Sequence, residues 1–274
     1  MNKLSEMEIS SYLKSQGAFR VETRETVGST NTVLREIAAS GAPEGFVLAA
    51  EEQTAGKGRL GRSFYSPGGR GVYFSLLLRP DFAASDVKLI TPAAAVAAAQ
   101  GIDEVFGVRV GIKWVNDLLV NGKKVCGILT ESALVAGSDV VEYAILGIGI
   151  NVFAPAAGFP EDIRGVATAL VGEGAVNGDK RCRLIAAVLD KFRHYYRKLP
   201  DREFLDEYRA RSVVIGRDVD VLSANGSHRP ARALAIDDEC RLVVRFADSP
   251  ADSVTDCGTV ALDSGEISVG MHNA

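Results

Sequence analysis

The spacing of hydrophobic residues predicts alternating helices and strands along most of the chain. From Ser29 or Thr30 to Ala39 apolar residues recur at helical spacing, and Gly41 follows the last of them. Val72–Leu78 is a nearly unbroken apolar run, which is typical of a strand buried on both faces. Further helices are predicted at Glu6–Ser15, Thr91–Phe106, Asp179–Leu199 and Arg202–Arg211, and strands at Arg20–Thr26, Phe46–Ala50, Val108–Trp114 and Val140–Ile150.

Two local signals predict where elements begin or turn. Thr91 followed by Pro92 is typical of an N-cap and the first residue of a helix. Asn121–Gly122, between the apolar runs Leu118–Val120 and Lys124–Leu129, is the strongest short-range signal for a tight hairpin. We therefore expect Lys123 in the turn and Lys124 at the start of a buried strand.

The pattern changes after Ser212 to short strands separated by turns such as Asn225–Gly226 and Asp237–Asp238. The predicted strands are Val219–Leu222, Ala231–Ile236, Leu242–Phe246, Thr259–Leu262 and Ile267–Val269. We expect an α+β domain over residues 1–212, with a central mixed β-sheet and flanking helices. A small all-β barrel should follow over residues 213–274.

Composition excludes several classes of protein. A formal net charge of −4 over 274 residues argues against a surface that coats nucleic acid. The first 25 residues carry four acidic and four basic side chains, so we expect no secretory signal and no membrane anchor. The four cysteines show no CxxC spacing, which indicates reduced thiols and a cytoplasmic location.

The segment from Gln53 to Pro80 is rich in glycine and contains no Asp or Glu. Its five basic residues are Lys57, Arg59, Arg62, Arg70 and Arg79. Glycines allow backbone amides to approach a ligand closely, and guanidinium and ammonium groups pair well with phosphate or carboxylate oxygens. We expect this segment to hold an anion.

Within that segment, Gly56, Gly58 and Gly61 match the dinucleotide fingerprint GxGxxG. The fingerprint requires a helix directly after the glycines, but Ser63–Gly71 contains Pro67 and further glycines and cannot be helical. A nicotinamide or flavin site is therefore not expected.

Three other segments accompany the loop: GSTN (Gly28–Asn31), Lys113–Leu129 and GIGIN (Gly147–Asn151). Taken singly, each has a structural explanation as a helix cap, a strand with a snorkelling lysine, or a close-packed strand end. Together with the loop QTAGKGRLGRSFYSP (Gln53–Pro67), in this order, they resemble biotin protein ligases from about residue 20 to the C-terminus.

The resemblance implies a class II synthetase-like catalytic domain and an SH3-like C-terminal barrel. It implies that the enzyme uses ATP and Mg²⁺ to convert biotin to biotinyl-5′-AMP. The resemblance further implies that the enzyme transfers the biotinyl group to one lysine of a carboxyl-carrier domain of a biotin-dependent carboxylase. The runner-up is a lipoyl or octanoyl ligase or transferase, which shares this catalytic architecture, although the loop sequence and the trailing β module favour biotin.

The resemblance also assigns roles to individual residues. Lys124 and Arg59 are the expected catalytic residues, and Asp117 is expected to help place the metal through the phosphates. The residues expected at biotin are Ser29, Thr30, Asn31, Gln53, Lys57, Gly58, Arg59, Lys124 and Gly127. Those expected at ATP or the adenylate are Gly56, Lys57, Arg59, Arg62, Trp114, Asn116, Asp117, Gly149 and Asn151.

The sequence departs from the family pattern at three positions, where Lys57 replaces an arginine, Phe64 a tryptophan and Val115 a proline. Some family members carry an N-terminal winged helix-turn-helix, which needs roughly twice the 27 residues that precede Gly28. We therefore expect the ligase-only form and no DNA partner. The sequence leaves open whether the protein forms a homodimer and which carboxylase it modifies.

Overall fold

A computed structural model of the protein describes residues 3–172, 178–222, 227–247, 258–263 and 265–269. The helices are α1 (Glu6–Tyr12), α2 (Thr30–Ala39), α3 (Ile90–Phe106), α4 (Gly178–Tyr196) and α5 (Leu205–Ala210). The strands are β1 (Arg20–Val27), β2 (Phe46–Gln53), β3 (Gly71–Leu78), β4 (Gly111–Lys113), β5 (Asp117–Val120), β6 (Lys123–Leu134), β7 (Val141–Asn151), β8 (Asp218–Leu222), β9 (His228–Ile236), β10 (Leu242–Phe246), β11 (Thr259–Leu262) and β12 (Glu266–Val269).

The first seven strands form one mixed sheet in the order β1-β2-β3-β7-β6-β5-β4. β1 runs parallel to β2, and every other neighbouring pair is antiparallel. The interior strand β3 is buried along its whole length, as its apolar run predicts. β5, β6 and β7 lie side by side in this sheet, and residues within them line much of the cleft described below.

Helices cover both faces of this sheet. α3 is alanine-rich and almost entirely buried, and a Cβ placed at its Gly101 would lie 2.7 Å from Val188 Cγ2 of α4. On the opposite face α2 packs Leu34 and Ala38 against Leu77 of β3. Close helix packing thus depends on small side chains in α3.

The segment Ala84–Phe106 is long and apolar enough to cross a membrane by length and composition alone. Buried core helices pass the same test. Its residues Val96 and Ile102 are fully buried, and they share one hydrophobic core with Leu184 and Leu189 of α4. These contacts identify it as a core helix.

Strands β8–β12 form a separate antiparallel sheet in the order β11-β10-β9-β8-β12. Trp114 Nε1 donates a hydrogen bond to the carbonyl oxygen of Cys240 at 2.9 Å, and Arg209 Nε donates to that of Ile236 at 2.8 Å. These bonds fasten the small sheet to the large domain beside β4.

The α+β fold class and the C-terminal β module are confirmed. The predicted turn at Asp237–Asp238 is present, with Cys240 N donating to Asp237 O, whereas Asn225–Gly226 lies outside the described residues. Asn121 and Gly122 have φ of 49° and 77°, as the predicted tight hairpin between β5 and β6 requires.

Several predicted boundaries are wrong. α1 ends at Tyr12 and not at Ser15. α3 begins at Ile90, because a 3₁₀ segment at Ala84–Leu89 leads directly into it. Pro92 is tolerated in the first turn, where backbone N–H groups have no partner within the helix. The strand predicted from Val108 is confined to β4, and the last two predicted helices are shortened around a 3₁₀ turn at Leu199–Asp201.

Candidate active site

One cleft of about 970 Å³, including space open to solvent, lies where α2, the glycine loop and strands β4–β7 meet. All but two of the residues predicted for the site line it: Ser29, Thr30, Asn31, Gln53, Lys57, Gly58, Arg59, Arg62, Trp114, Asn116, Asp117, Lys124, Gly127 and Gly149. The fold therefore brings together four sequence segments that are separated by up to about a hundred residues.

One end of the cleft is a network of neutral polar groups at the start of α2. Gln53 Oε1 accepts from the backbone N–H of Thr30 at 2.9 Å, and Gln53 Nε2 donates to Ser66 Oγ at 2.9 Å. Ser75 Oγ lies 2.7 Å from Thr30 Oγ1 and 2.6 Å from Asn31 Oδ1. This end of the cleft has fixed hydrogen-bonding groups before any ligand binds.

Ser29 is the N-cap residue of α2, as predicted, but its side chain makes no capping hydrogen bond. The residue lines the cleft. The functional interpretation of the GSTN segment is thereby favoured over a purely capping one.

Glycines of β6 and β7 shape the wall beside this network. A Cβ at Gly147 would lie 2.2 Å from Asn31 Oδ1, so only glycine leaves room for the amide. Gly127 and Gly149 face each other across the two strands, and Cβ atoms there would lie 3.1 and 2.6 Å from the Phe64 ring. The aromatic ring from the glycine loop thus packs on a surface without side chains.

The glycine loop folds over the cleft. Gly58 N donates to Arg62 O at 2.7 Å, and a 3₁₀ turn spans Arg59–Gly61. The Arg59 guanidinium donates to Asn116 Oδ1 at 2.9 Å and to the carbonyl oxygen of Gly265 at 3.1 Å. Both acceptors are neutral, so these contacts leave the positive charge of Arg59 available to an anion.

Lys124 reaches the other end of the cleft, where its Nζ lies 2.6 Å from Asp117 Oδ1. The β5–β6 register shifts so that Leu118 faces Cys126 and Leu119 faces Lys124. This β-bulge explains how Lys124 and Gly127, three positions apart, both line the cleft, whereas side chains of a regular strand alternate with period two.

Lys123, the adjacent lysine, is exposed at the first position of β6 and pairs with Val120 beside the turn. The predicted distinction between a solvated Lys123 and a partly buried Lys124 at the cleft agrees with this arrangement.

Asp117 is the carboxylate of the cleft, and it also accepts from Asn116 Nδ2 at 3.1 Å. Among the described residues, no group of three or more His, Cys, Asp or Glu could hold a metal. Mg²⁺ is commonly bound through one or two carboxylates plus substrate phosphates. The single Asp117 fits that kind of site and no all-protein site.

Cys126 lies beside this charged end but cannot act as a nucleophile in its present state. The thiol is fully buried, and this burial raises its pKa well above the ordinary value despite the opposing effect of the Lys124 ammonium. The thiol therefore stays neutral, and Lys124 and Asp117 form the ionised pair of the hairpin.

Gly56 and Asn151 are the two predicted site residues that do not line the cleft. A Cβ at Gly56 would lie 2.4 Å from Phe64 O, so this glycine permits the loop to close on itself. Asn151 Nδ2 donates to Thr168 O at 3.1 Å, which holds the segment that runs alongside β6 and β7. Each has a structural role in the described chain.

Sequence reasoning did not assign several residues that line or support the cleft. Glu131 and Ser75 support the polar network from β6 and β3, and Gly265 and Ile267 come from the C-terminal module. The missed lining residues of the main domain are Leu60, Ser63, Phe64, Lys113, Ile128, Leu129, Gly147 and Ile148. These eight residues lie inside the glycine loop, the Lys113–Leu129 segment and the GIGIN segment, so membership of those motifs was the signal that could have found them.

The fold and cleft define a protein that binds a small molecule, with fixed neutral hydrogen-bonding groups at one end and cations at the other. The model of the Biotin/lipoate A/B protein ligase family matches residues 24–151. The bifunctional ligase/repressor BirA of Bacillus subtilis (strain 168) is 38% identical over 86% of this chain and 73% of its own length. The biotin–[acetyl-CoA-carboxylase] ligase of Mycobacterium tuberculosis is 33% identical, over 78% and 79% respectively.

Among solved structures, the biotin protein ligase from Aquifex aeolicus in complex with biotin and ATP superposes with a TM-score of 0.70. It is 25% identical, and the match covers 92% of this chain and 98% of that one. The chain belongs to the biotin protein ligase family.

Proposed function

We propose that this protein is an ATP-dependent ligase that converts biotin to biotinyl-5′-AMP and attaches the biotinyl group to a lysine of a carboxyl-carrier domain. The main observation in its support is that one cleft has a neutral polar end and a cationic end. These two ends match the two polar groups of biotin. Biotin has a ureido head that exchanges hydrogen bonds and a carboxylate at the end of its chain. The similarity to a biotin–[acetyl-CoA-carboxylase] ligase and to a biotin protein ligase in complex with biotin and ATP supports the same substrates.

In the first step the biotin carboxylate attacks the α-phosphorus of ATP, and the bond to the bridging oxygen breaks, releasing pyrophosphate. Negative charge concentrates on the phosphoryl oxygens in this step. The Lys124 ammonium lines the cleft and has Asp117 as its ion-pair partner at 2.6 Å. A preorganised cation of this kind stabilises the charge without rearrangement of solvent.

Arg59 retains the mixed anhydride in the proposed cycle. Its guanidinium is oriented by the amide of Asn116 and the backbone carbonyl of Gly265, neither of which neutralises its charge. Its remaining N–H groups are free to donate to a phosphate oxygen. Lys57, in the same loop, lies nearer the polar end, where its Nζ is 3.9 Å from Glu131 Oε1.

Mg²⁺, when bound, neutralises charge on the phosphates of ATP. Asp117 is the residue that would hold it, together with phosphate oxygens. Trp114 lines the cleft, but its indole N–H donates to the Cys240 carbonyl, so only its ring is left to face the nucleotide.

In the second step the uncharged ε-amino group of the acceptor lysine attacks the acyl carbon of biotinyl-5′-AMP. The bond to the phosphate oxygen breaks, AMP leaves and an amide forms, with one proton lost from the amine. Charge on the acyl oxygen develops near Lys124, so the same ammonium serves both steps. Closure of the loop over the anhydride limits hydrolysis by water.

The test is incubation of the protein with ATP, Mg²⁺ and biotin, together with a purified carboxyl-carrier domain, followed by intact-mass measurement. We expect the carrier to gain one biotinyl group, and only when ATP is present. Gain of a lipoyl or octanoyl group with no gain of biotin would transfer the assignment to the runner-up activity. That the protein binds no DNA stays a prediction, which a gel shift can test, and sedimentation can decide whether it forms a homodimer.

A further inference from the structure

We infer that Tyr208 of α5, which is fully buried and does not line the cleft, is a positioning residue for both cations of the proposed reaction. Its hydroxyl holds the turn of residues 114–116, which joins β4 to β5. The inference rests on the proposed function, because it assigns to Tyr208 the task of keeping Arg59 and Lys124 in place for the phosphate.

Two consecutive residues hold the two cations. Asn116 Oδ1 accepts from the Arg59 guanidinium at 2.9 Å, and Asp117 Oδ1 lies 2.6 Å from Lys124 Nζ. Asn116 Nδ2 donates to Ile128 O at 3.0 Å and to Asp117 Oδ1 at 3.1 Å. An amide side chain has two N–H donors and one oxygen, so only the oxygen is left for Arg59. A displacement of the turn therefore moves the partners of both cations together.

Each residue of the turn is attached to a different part of the molecule. Trp114 is bonded to the C-terminal module, as described above, and the Asn116 carbonyl oxygen accepts from Ile128 N of β6 at 3.1 Å. Between them, the Val115 carbonyl oxygen accepts from the Tyr208 hydroxyl at 3.0 Å. Tyr208 thus fixes the middle of the turn, directly before the residue that orients Arg59.

The Tyr208 hydroxyl stays protonated and can serve as a permanent donor. Burial raises its pKa well above the ordinary value for tyrosine. The Arg59 guanidinium and the Asp117 carboxylate are among the groups that act electrostatically on this hydroxyl. The hydroxyl therefore lies close to the cationic end of the cleft, although it does not line it.

The helix that carries Tyr208 is itself fixed to the large domain. Directly after α5, Arg211 O accepts from Ile112 N of β4 at 2.7 Å. The Arg211 guanidinium is almost fully buried and donates to Asp103 of α3 and to Glu207 of α5, each at 2.5 Å. Because α5 is bonded to both α3 and β4, the Tyr208 hydroxyl keeps its position relative to the sheet that lines the cleft.

The consequence is a selective effect on the chemistry of the site. Small displacements of positioning groups slow a reaction strongly, because the reacting atoms lose their alignment. The polar end of the cleft is held by different hydrogen bonds, which join Thr30, Gln53 and Ser75. Loss of the Tyr208 hydroxyl should therefore impair formation and retention of the adenylate and leave the affinity for biotin intact.

The substitution Tyr208→Phe tests the inference, because it removes one hydroxyl and keeps the buried ring. We expect single-turnover pyrophosphate release to slow about tenfold and preloaded biotinyl-5′-AMP to dissociate about tenfold faster, with Kd for biotin unchanged. Unchanged rates would overturn the inference. A loss of biotin affinity as large as the change in rates would indicate a general loss of structure and would also overturn it.

Tyr195→Phe is the matched control. Tyr195 of α4 exchanges a hydrogen bond with Gln100 of α3 and does not line the cleft. Its substitution also removes a hydroxyl from a side chain packed between helices, and it should leave both rates and the affinity for biotin unchanged. Equal effects of Tyr195→Phe and Tyr208→Phe would show that the position of the lost hydroxyl is irrelevant, which would overturn the inference.

Two further variants complete the design. Tyr208→Phe should add little to Arg59→Ala in the rate of adenylate dissociation, because its effect on that rate passes through Arg59, and full addition of the two effects would overturn the inference. Trp114→Phe keeps a ring in the cleft but loses the bond to the C-terminal module, so it loosens the same turn from its other side. It replaces Tyr208→Phe if that variant does not fold, and unchanged retention of the adenylate would then overturn the inference. A parent that forms no biotinyl-5′-AMP would instead refute the proposed function.

Discussion

The two ends of the cleft are built on opposite principles. At the polar end Thr30, Asn31 and Gln53 are held by one another, by Ser75 and by Glu131, in and behind the buried start of α2. At the cationic end Lys124 is paired with the carboxylate of Asp117, and Arg59 with neutral oxygens of two other segments. The first arrangement is rigid and suits recognition of the head group of a ligand. In the second, Lys124 and Arg59 can exchange their present partners for the charged groups of a reacting ligand.

The largest expected effect, and the strongest test of this difference between the two ends, comes from removing a charge at the cationic end. Lys124→Gln leaves a polar side chain that is one atom shorter, and it removes an ammonium that stabilises charge on phosphate and acyl oxygens. We expect adenylation to slow by about 10²–10³ while biotin affinity changes little. The measurement is single-turnover pyrophosphate release, and a rate within threefold of the parent would contradict the assignment.

Arg59→Ala should affect retention of the intermediate more than its formation. Loss of a charged hydrogen bond is worth about 1.5–3 kcal/mol, so biotinyl-5′-AMP should dissociate roughly ten- to hundredfold faster. A chase with unlabelled biotin after preloading measures that rate. Arg70→Ala is the matched control, since Arg70 belongs to the same basic segment but donates to Ala154 O outside the cleft. Equal dissociation from Arg59→Ala and the parent would remove Arg59 from the phosphate site.

Gly147→Ala perturbs the polar end by steric means alone. The new Cβ would lie 2.2 Å from Asn31 Oδ1, so the amide must shift. We expect biotin to bind about tenfold more weakly, with ATP binding unaffected, and the free energy of unfolding to fall by about 1–3 kcal/mol. Calorimetry and a denaturant titration give the two numbers. Gly165→Ala, where a Cβ meets nothing within 4 Å, is the control.

The smallest expected effect belongs to Lys123, the immediate neighbour of Lys124. Its side chain is exposed beside the hairpin turn, and a solvated charge contributes little. Lys123→Gln should change the adenylation rate by less than about threefold. If this variant were the impaired one and Lys124→Gln behaved like the parent, the cationic end would have been assigned in the wrong register.

Local chemistry made part of this molecule predictable from its sequence. Asn121–Gly122 adopts positive φ at both positions, so a turn that only such residues form easily was found correctly. The nearly unbroken apolar run of β3 was equally direct evidence for a strand buried on both faces. In contrast, Pro92 indicated a helix start that is two residues late, because the preceding 3₁₀ turn carries no comparable signal.

The contacts that could not be predicted join residues that are far apart along the chain. Ser75 lies 44 residues from Asn31, and Glu131 lies 100 residues from it, yet the hydrogen bonds between them build the polar end. Neither residue has a motif of its own, since a serine in a buried strand and a glutamate on a strand are ordinary. Gly265 reaches the cleft only because the C-terminal module docks beside β4.

That docking places the one tryptophan of the sequence in an informative position. Trp114 is 3% exposed, and its indole N–H donates to the carbonyl of Cys240 across the junction between the large sheet and the C-terminal module. The intrinsic fluorescence of the protein therefore comes from a single indole at that junction. A red shift in its emission would report separation of the module from the large domain, and comparison with circular dichroism would distinguish this event from unfolding of the whole chain.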